Sequence, residues 1–232
     1  MTMERIDANI VVILDEPPAE LNQAALMKMF ETVDVQKLLK PPHSFSQALG
    51  IDTLGRGTST SLEVESFRSQ KTVSISAQRI DVHDRSDAED IRTKELPETV
   101  LCFAELLGVE AIKAVGANYV FLITGDDEPA AKVIASRLLT STTPLAPDGT
   151  ILTGGSVRLF LSSDDGSVTY TAAIEPRLND IETTTLFATL NINADWTEMP
   201  DLSKLSELFN RGYTVAHTLL TSLFNGPKKE TR

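Results

Sequence analysis

His43, Arg56, Asp81, His83, Asp148 and Trp196 are the side chains of this sequence best suited to hold a ligand or a partner. Asp81 and His83 stand two residues apart in an alternating run, which places both on one face of a strand. A carboxylate there can orient the imidazole or join it on a metal. No further histidine follows at ligand spacing, and the chain has only 3 histidines. An exposed polar strand end explains the pair equally well. His43 follows Pro41-Pro42 and His217 falls on the last predicted helix, each without a neighbour that would make it a base. His43, Arg56 and Asp148 lie in two long loop-like stretches, which could meet around a small ligand. Trp196, the single tryptophan, reads as an anchor between the last strand and the last helix, or as a contact for another chain.

The other chemical signals have plainer explanations. Asp126-Asp127-Glu128 ends a strand, where carboxylates can hold a divalent cation. Consecutive side chains diverge, however, and Asp-Glu-Pro is an ordinary helix start, as is Asp15-Glu16-Pro17-Pro18. Cys102 sits beside Phe103 and Ala104, where a small buried hydrophobe is expected rather than a thiolate. Gly55-Arg56-Gly57-Thr58-Ser59-Thr60 suggests a phosphate loop but lacks the Gly-Lys-Ser/Thr ending and precedes a hairpin, not a helix. Gly154-Gly155 is likewise a strand entry. The sequence contains no Gly-x-Ser-x-Gly elbow, no cysteine pair and no His-Glu-x-x-His. No catalytic set, metal site or cofactor is expected.

Composition narrows the partners. The formal charge is −12 over 232 residues, which repels phosphate backbones and anionic membrane surfaces. The one dense basic run, Lys228-Lys229-Glu230-Thr231-Arg232, reads as a solvated tail. Apolar runs such as Ile10–Leu14 are too short to cross a bilayer. The first residues show no apolar signal segment, and a single cysteine suits the reducing cytoplasm.

These residues must be positioned by a small set of elements. Ile6–Leu14 is a continuous apolar run, expected as a strand buried on both faces or near a sheet centre. Asp15–Pro18 then supplies acids and prolines for the first turn of a helix with a stripe of Leu21, Ala24, Ala25, Met29 and Phe30. A short helical turn follows at Asp34–Leu39. Pro41–Ser59 reads as loop. Thr60–Phe67 and Lys71–Val82 alternate as a hairpin around Arg68-Ser69-Gln70. The apolar phase slips after Ala77, which a bulge at Gln78-Arg79 would explain. A helix over Pro97–Leu107 ends at Gly108.

A second copy of this order is expected. Ala117–Ile123 aligns with Ala8–Leu14, and Asp127-Glu128-Pro129 again opens a helix. Ser141–Gly155 is a second loop. Ser156–Ser162 and Ser167–Ile174 form a second hairpin around Asp164-Asp165-Gly166. Thr72–Ala77 then falls on Ser167–Ala172 without a gap. The second half adds an extra strand, Thr184–Ile192, before a long helix over Asp201–Phe224. The expected fold is α+β: antiparallel sheet with helices on one face, in two related β-α-β-β-α halves, 1–112 and 113–232, about a pseudo-two-fold. The expected function is a non-enzymatic cytoplasmic binding or assembly protein working through a protein partner or a second copy of itself. A small-ligand or enzymatic site at the junction of the halves is the alternative.

Overall fold

The structure, a computed structural model, describes residues 2–18, 23–51, 58–86, 95–125, 128–138, 155–180 and 182–225. Arg56, Asp148, Asp126-Asp127, the stretch 139–154 and the basic tail lie outside those residues. The elements in chain order are β1 (Thr2–Leu14), α1 (Gln23–Phe30), α2 (Val33–Leu38), β2 (His43–Ile51), β3 (Thr58–Ser66), β4 (Lys71–Ser76), β5 (Arg79–Asp84) and α3 (Glu95–Leu106). They continue with β6 (Ile112–Thr124), α4 (Ala130–Arg137), β7 (Val157–Ser162), β8 (Val168–Pro176), β9 (Leu186–Ala194) and α5 (Leu202–Asn225). Among the described residues, nine strands form one antiparallel sheet in the order β2-β3-β4-β5-β1-β6-β9-β8-β7. The fold is therefore mixed α+β with an antiparallel sheet.

Two compact units divide the contacts. One, here the N-unit, comprises Asp7–Asn118 and Asn193–Arg211; the other, the C-unit, comprises Met1–Ile6, Tyr119–Ile192 and Gly212–Arg232.

In the N-unit, β1 buries Ala8, Ile10, Val12 and Leu14 while Asn9, Val11 and Ile13 are half-buried. The strand thus has one fully covered face, not two, although it does lie near the sheet centre. Its run looks continuous because Val11 and Ile13 fill the less covered side. Asp15–Pro18 is not helical; α1 is described over Gln23–Phe30, and Leu21 lies outside the described residues. Phe30 at its end packs against Phe103 of α3, with ring centroids 5.4 Å apart.

Two expectations in this unit are corrected. His43–Ile51 is a strand, not loop; it pairs along its whole length with β3, from His43 opposite Ser66 to Ile51 opposite Thr58. The phase slip after Ala77 is a chain reversal rather than a bulge. β4 and β5 pair antiparallel across Ala77-Gln78, with Ile75 opposite Ile80 and Val73 opposite Val82. Cross-strand partners share a face, so a two-residue turn moves the buried positions from odd to even numbers. Ser76 stabilises that turn by accepting from the Gln78 N–H at 3.3 Å. The first hairpin stands as expected, Leu62 opposite Ile75 and Val64 opposite Val73.

Helices cover the Val73–Ile75 face. Lys71 shares that face, is 2 % exposed, and its Nζ donates to Glu95 Oε2 of α3 at 2.6 Å and to the Leu38 carbonyl of α2 at 3.4 Å. α3 ends at Gly108, whose φ of +65° is left-handed. The Val109 N–H returns to Ala104 O at 2.9 Å and the Gly108 N–H to Glu105 O at 3.0 Å, satisfying the last carbonyls.

In the C-unit, Tyr119, Phe121 and Ile123 of β6 are buried. β7 and β8 form the expected hairpin, Leu161 opposite Tyr170, turning at Asp164-Asp165-Gly166 with Gly166 at φ +71°. The Asp165 carboxylate accepts from the Ser163 hydroxyl at 2.5 Å, the Ser167 hydroxyl at 2.8 Å and the Ser167 N–H at 3.1 Å. β9 is the strand expected near Thr184–Ile192. In α4, the Arg137 guanidinium donates to the Phe224 carbonyl of α5 at 2.6 Å. α5 meets the strands at Gly212, where a Cβ would lie 2.0 Å from Ile192 Cδ1 and 3.0 Å from Tyr119 Cε2. No described helix is long and apolar enough to cross a membrane.

Candidate functional site

The face of β3, β4, β5 and β1 opposite Lys71 is polar because alternation sends every second side chain there. Pairing aligns those side chains into rows across the strands. One runs Ser44, Glu65, Thr72, His83, Asn9; the next runs Ser46, Glu63, Ser74, Asp81, Val11. Asp81 and His83 therefore share a face, as their spacing predicts.

His83 is held from two sides. Its Nδ1 lies 3.1 Å from Asp7 Oδ2, and its Nε2 lies 3.2 Å from the Asn9 side-chain amide. Asn118 of β6 donates in turn to Asn9 Oδ1 at 2.6 Å. A proton on Nδ1 satisfies Asp7 and leaves the Nε2 lone pair for the Asn9 amide. An imidazole oriented by a carboxylate is half of a general-base arrangement. Here Nε2, which would take the proton, faces Asn9, and no described hydroxyl or thiol bonds the ring. Among the described residues, no group of three or more His, Cys, Asp and Glu side chains stands close enough to hold a metal ion.

Asp81 is the least comfortable group on this face. It is 6 % exposed, and its Oδ2 pairs with the Arg79 guanidinium. Its Oδ1 is shut from solvent and has no hydrogen-bond partner among the described residues. Burial pushes its pKa above the usual carboxylate value, only partly opposed by the charges of Arg79 and His83. A buried acceptor left without a partner costs about 1–3 kcal/mol, so the β4-β5-β1 pairing holds this carboxylate where solvation alone would not.

The remaining candidates do not join this face. The His43 ring nitrogen Nε2 donates to the Leu39 carbonyl at 2.5 Å, tying β2 to the end of α2. Its ring also lies 5.9 Å from Phe30. Trp196 is half-buried just after β9, its N–H bonded to the Ala194 carbonyl at 3.0 Å. Cys102 is half-buried rather than buried; burial, with Asp34 and Glu105 nearby, raises its thiol pKa and keeps it protonated. His217 is exposed on α5. Sequence reasoning missed Asp7, Asn9 and Asn118, whose only signal was a polar residue inside each of two apolar strands.

A second feature lies at the sheet edge of the C-unit. β7 is last in the strand order and pairs with β8 on one side. Phe160 on it is 75 % exposed and Leu161 40 %. The two side chains point to opposite faces, so among the described residues this edge offers both apolar surface and main-chain donors and acceptors. No known protein family matches this chain, and no curated protein matches it significantly.

Proposed function

We propose that this chain is a non-enzymatic cytoplasmic binding or assembly protein that works by contact with another polypeptide, a partner or a second copy of itself. The observation that carries this reading is β7: an edge strand with one paired side, bearing exposed Phe160 and Leu161. Natural sheets usually blunt such edges with charge, proline or a cover, because an extended chain adds to them readily. Here the strand carries a single charge, Arg158.

The internal duplication read from the sequence is in keeping with the same reading. The first half runs strand, two helices, four strands and a closing helix, and the second runs strand, helix, three described strands and a closing helix. β3-β4-β5 corresponds in sheet order to β7-β8-β9 read from the opposite end. Asn9 and Asn118, which the sequence alignment equates, are bonded to each other. A duplicated unit of this kind is an assembly element first, and its outer edges are where assembly would continue.

The test is hydrogen exchange and light scattering on the full chain over a micromolar concentration series. Amides of β7 that face away from β8 should become slow to exchange as the molar mass rises, and Phe160→Lys should abolish both changes. A monomer with β7 amides fast at every concentration removes self-association through this edge.

A further inference from the structure

We infer that the polar face of β3, β4, β5 and β1 docks a basic, extended segment of a partner protein. The inference rests on the reading of the chain as a binding protein and adds the chemistry of its partner. Four carboxylates, Asp7, Glu63, Glu65 and Asp81, lie on this face of the N-unit, with the Arg79 guanidinium beside Asp81 and Arg85 at the rim next to Asp7. Asp7 is engaged with His83 and Asp81 with Arg79, whereas Glu63 and Glu65 have no ion-pair partner among the described residues. The pairing sets their spacing: Glu63 and Glu65 are two residues apart on one strand, about 7 Å, and Glu63 and Asp81 straddle β4 at roughly 10 Å. Lysines or arginines at alternate positions of an extended segment are also about 7 Å apart, so such a segment matches Glu63 and Glu65 in step.

A separate observation points to a ligand here. The Asp81 side chain is buried on this face with Oδ1 lacking any partner. The cation beside it, Arg79, is half exposed and has no other ion-pair partner among the described residues to hold it from swinging outward. When it does, both Asp81 oxygens open to an incoming ammonium or guanidinium, which then completes what the fold leaves undone. A bare divalent ion fits less well, because no three ligating side chains converge. The chain's −12 charge draws a basic partner in from a distance.

The experiment titrates the intact protein with a fluorescein-labelled peptide of alternating lysine and serine, beside spermine as a small polycation. Saturable peptide binding is expected. Glu63→Lys with Glu65→Lys should weaken it by about tenfold or more, and Asp81→Asn should weaken it without reversing any charge, should the double variant fail to fold. A matched reversal at exposed Asp180 and Glu182 should change it by less than about twofold. Equal weakening by both reversals, an absence of saturable binding, or binding of spermine in preference to the peptide overturns the inference. Phe160→Lys should leave peptide binding unchanged. A failed titration beside intact β7-dependent assembly therefore sinks this inference alone.

Discussion

Strands β4 and β5 bury charged side chains on both of their faces, and two of them, Lys71 and Asp81, are treated differently. Lys71, on the helix-covered face, has a carboxylate and a carbonyl for its ammonium. Asp81, on the opposite face, has a guanidinium for one oxygen and nothing for the other. A buried charge whose valences are met fixes neighbouring elements, here α2 and α3, against the sheet. One left half-met adds cost without adding contacts, and such departures from local consistency concentrate where a protein meets its ligand.

The contrast can be broken most sharply at Lys71. Lys71→Ala removes the ammonium from Glu95 and the Leu38 carbonyl and opens a cavity, which should cost about 2–3 kcal/mol in urea unfolding. That lies below the usual range for a broken buried pair because the Glu95 side chain is 31 % exposed. Lys71→Met, which keeps the volume, should recover part of the loss. A cost near zero for Lys71→Ala would show that the covered-face pair is not structural.

Asp81→Asn should have the opposite sign. The amide oxygen can still accept from Arg79, while the buried charge is gone, so stability at neutral pH should hold or rise by less than about 1 kcal/mol. The pH dependence follows from linkage. The folded pKa of Asp81 lies above its unfolded value of 3.8, so the folded state holds the proton more tightly. The penalty is absent below 3.8 and grows as pH rises through the raised folded value. The difference in melting temperature between variant and wild type should therefore shrink on acidification towards pH 4. A variant less stable than wild type at neutral pH would mean that Asp81 is a structural ion pair like Lys71–Glu95, and the contrast between the faces would vanish.

Asp165 is the solvent-exposed control, with the smallest effect. Hydrogen bonds from Ser163 and Ser167 lower its pKa to about 2 from 3.8. The depressed value means the turn gains from the charged form above 3.8 and loses that gain as pH falls through about 2. Asp165→Ala should loosen the β7–β8 hairpin at neutral pH, seen as faster exchange of the Val168 N–H, and the difference from wild type should vanish at the acid end. Unlike Asp81, it should show no stability gain at any pH.

Much of the fold was legible because period and punctuation agreed. Gly108 stops α3, Asp164-Asp165-Gly166 turns the second hairpin, and the Leu62–Val64 and Val73–Ile75 alternations pair as read. The failures have local causes. Ala77-Gln78 carries neither glycine nor asparagine, so a true reversal looked like a bulge. His43–Ile51 has only one β-branched residue, and its strand state comes from a complete ladder with β3 that the sequence does not display. The site was legible only along one strand. Asp81 and His83 share a face by spacing alone, but Asp7 and Asn9 reach His83 across 76 and 74 residues. Such neighbours follow from strand order, which no local pattern encodes.

Gly212 has a mechanical consequence. The space above it fits a hydrogen and no more, since a Cβ would stand 2.0 Å from Ile192 Cδ1. The residues one turn away on the same side of the helix, Leu208, Phe209, Val215 and Ala216, all carry a Cβ. Shifting α5 by one turn in either direction would push one of them into that space. Gly212 therefore works as a detent, giving a 24-residue helix a single seat along Tyr119 and Ile192. Any motion of α5 must begin by lifting off rather than by creeping along.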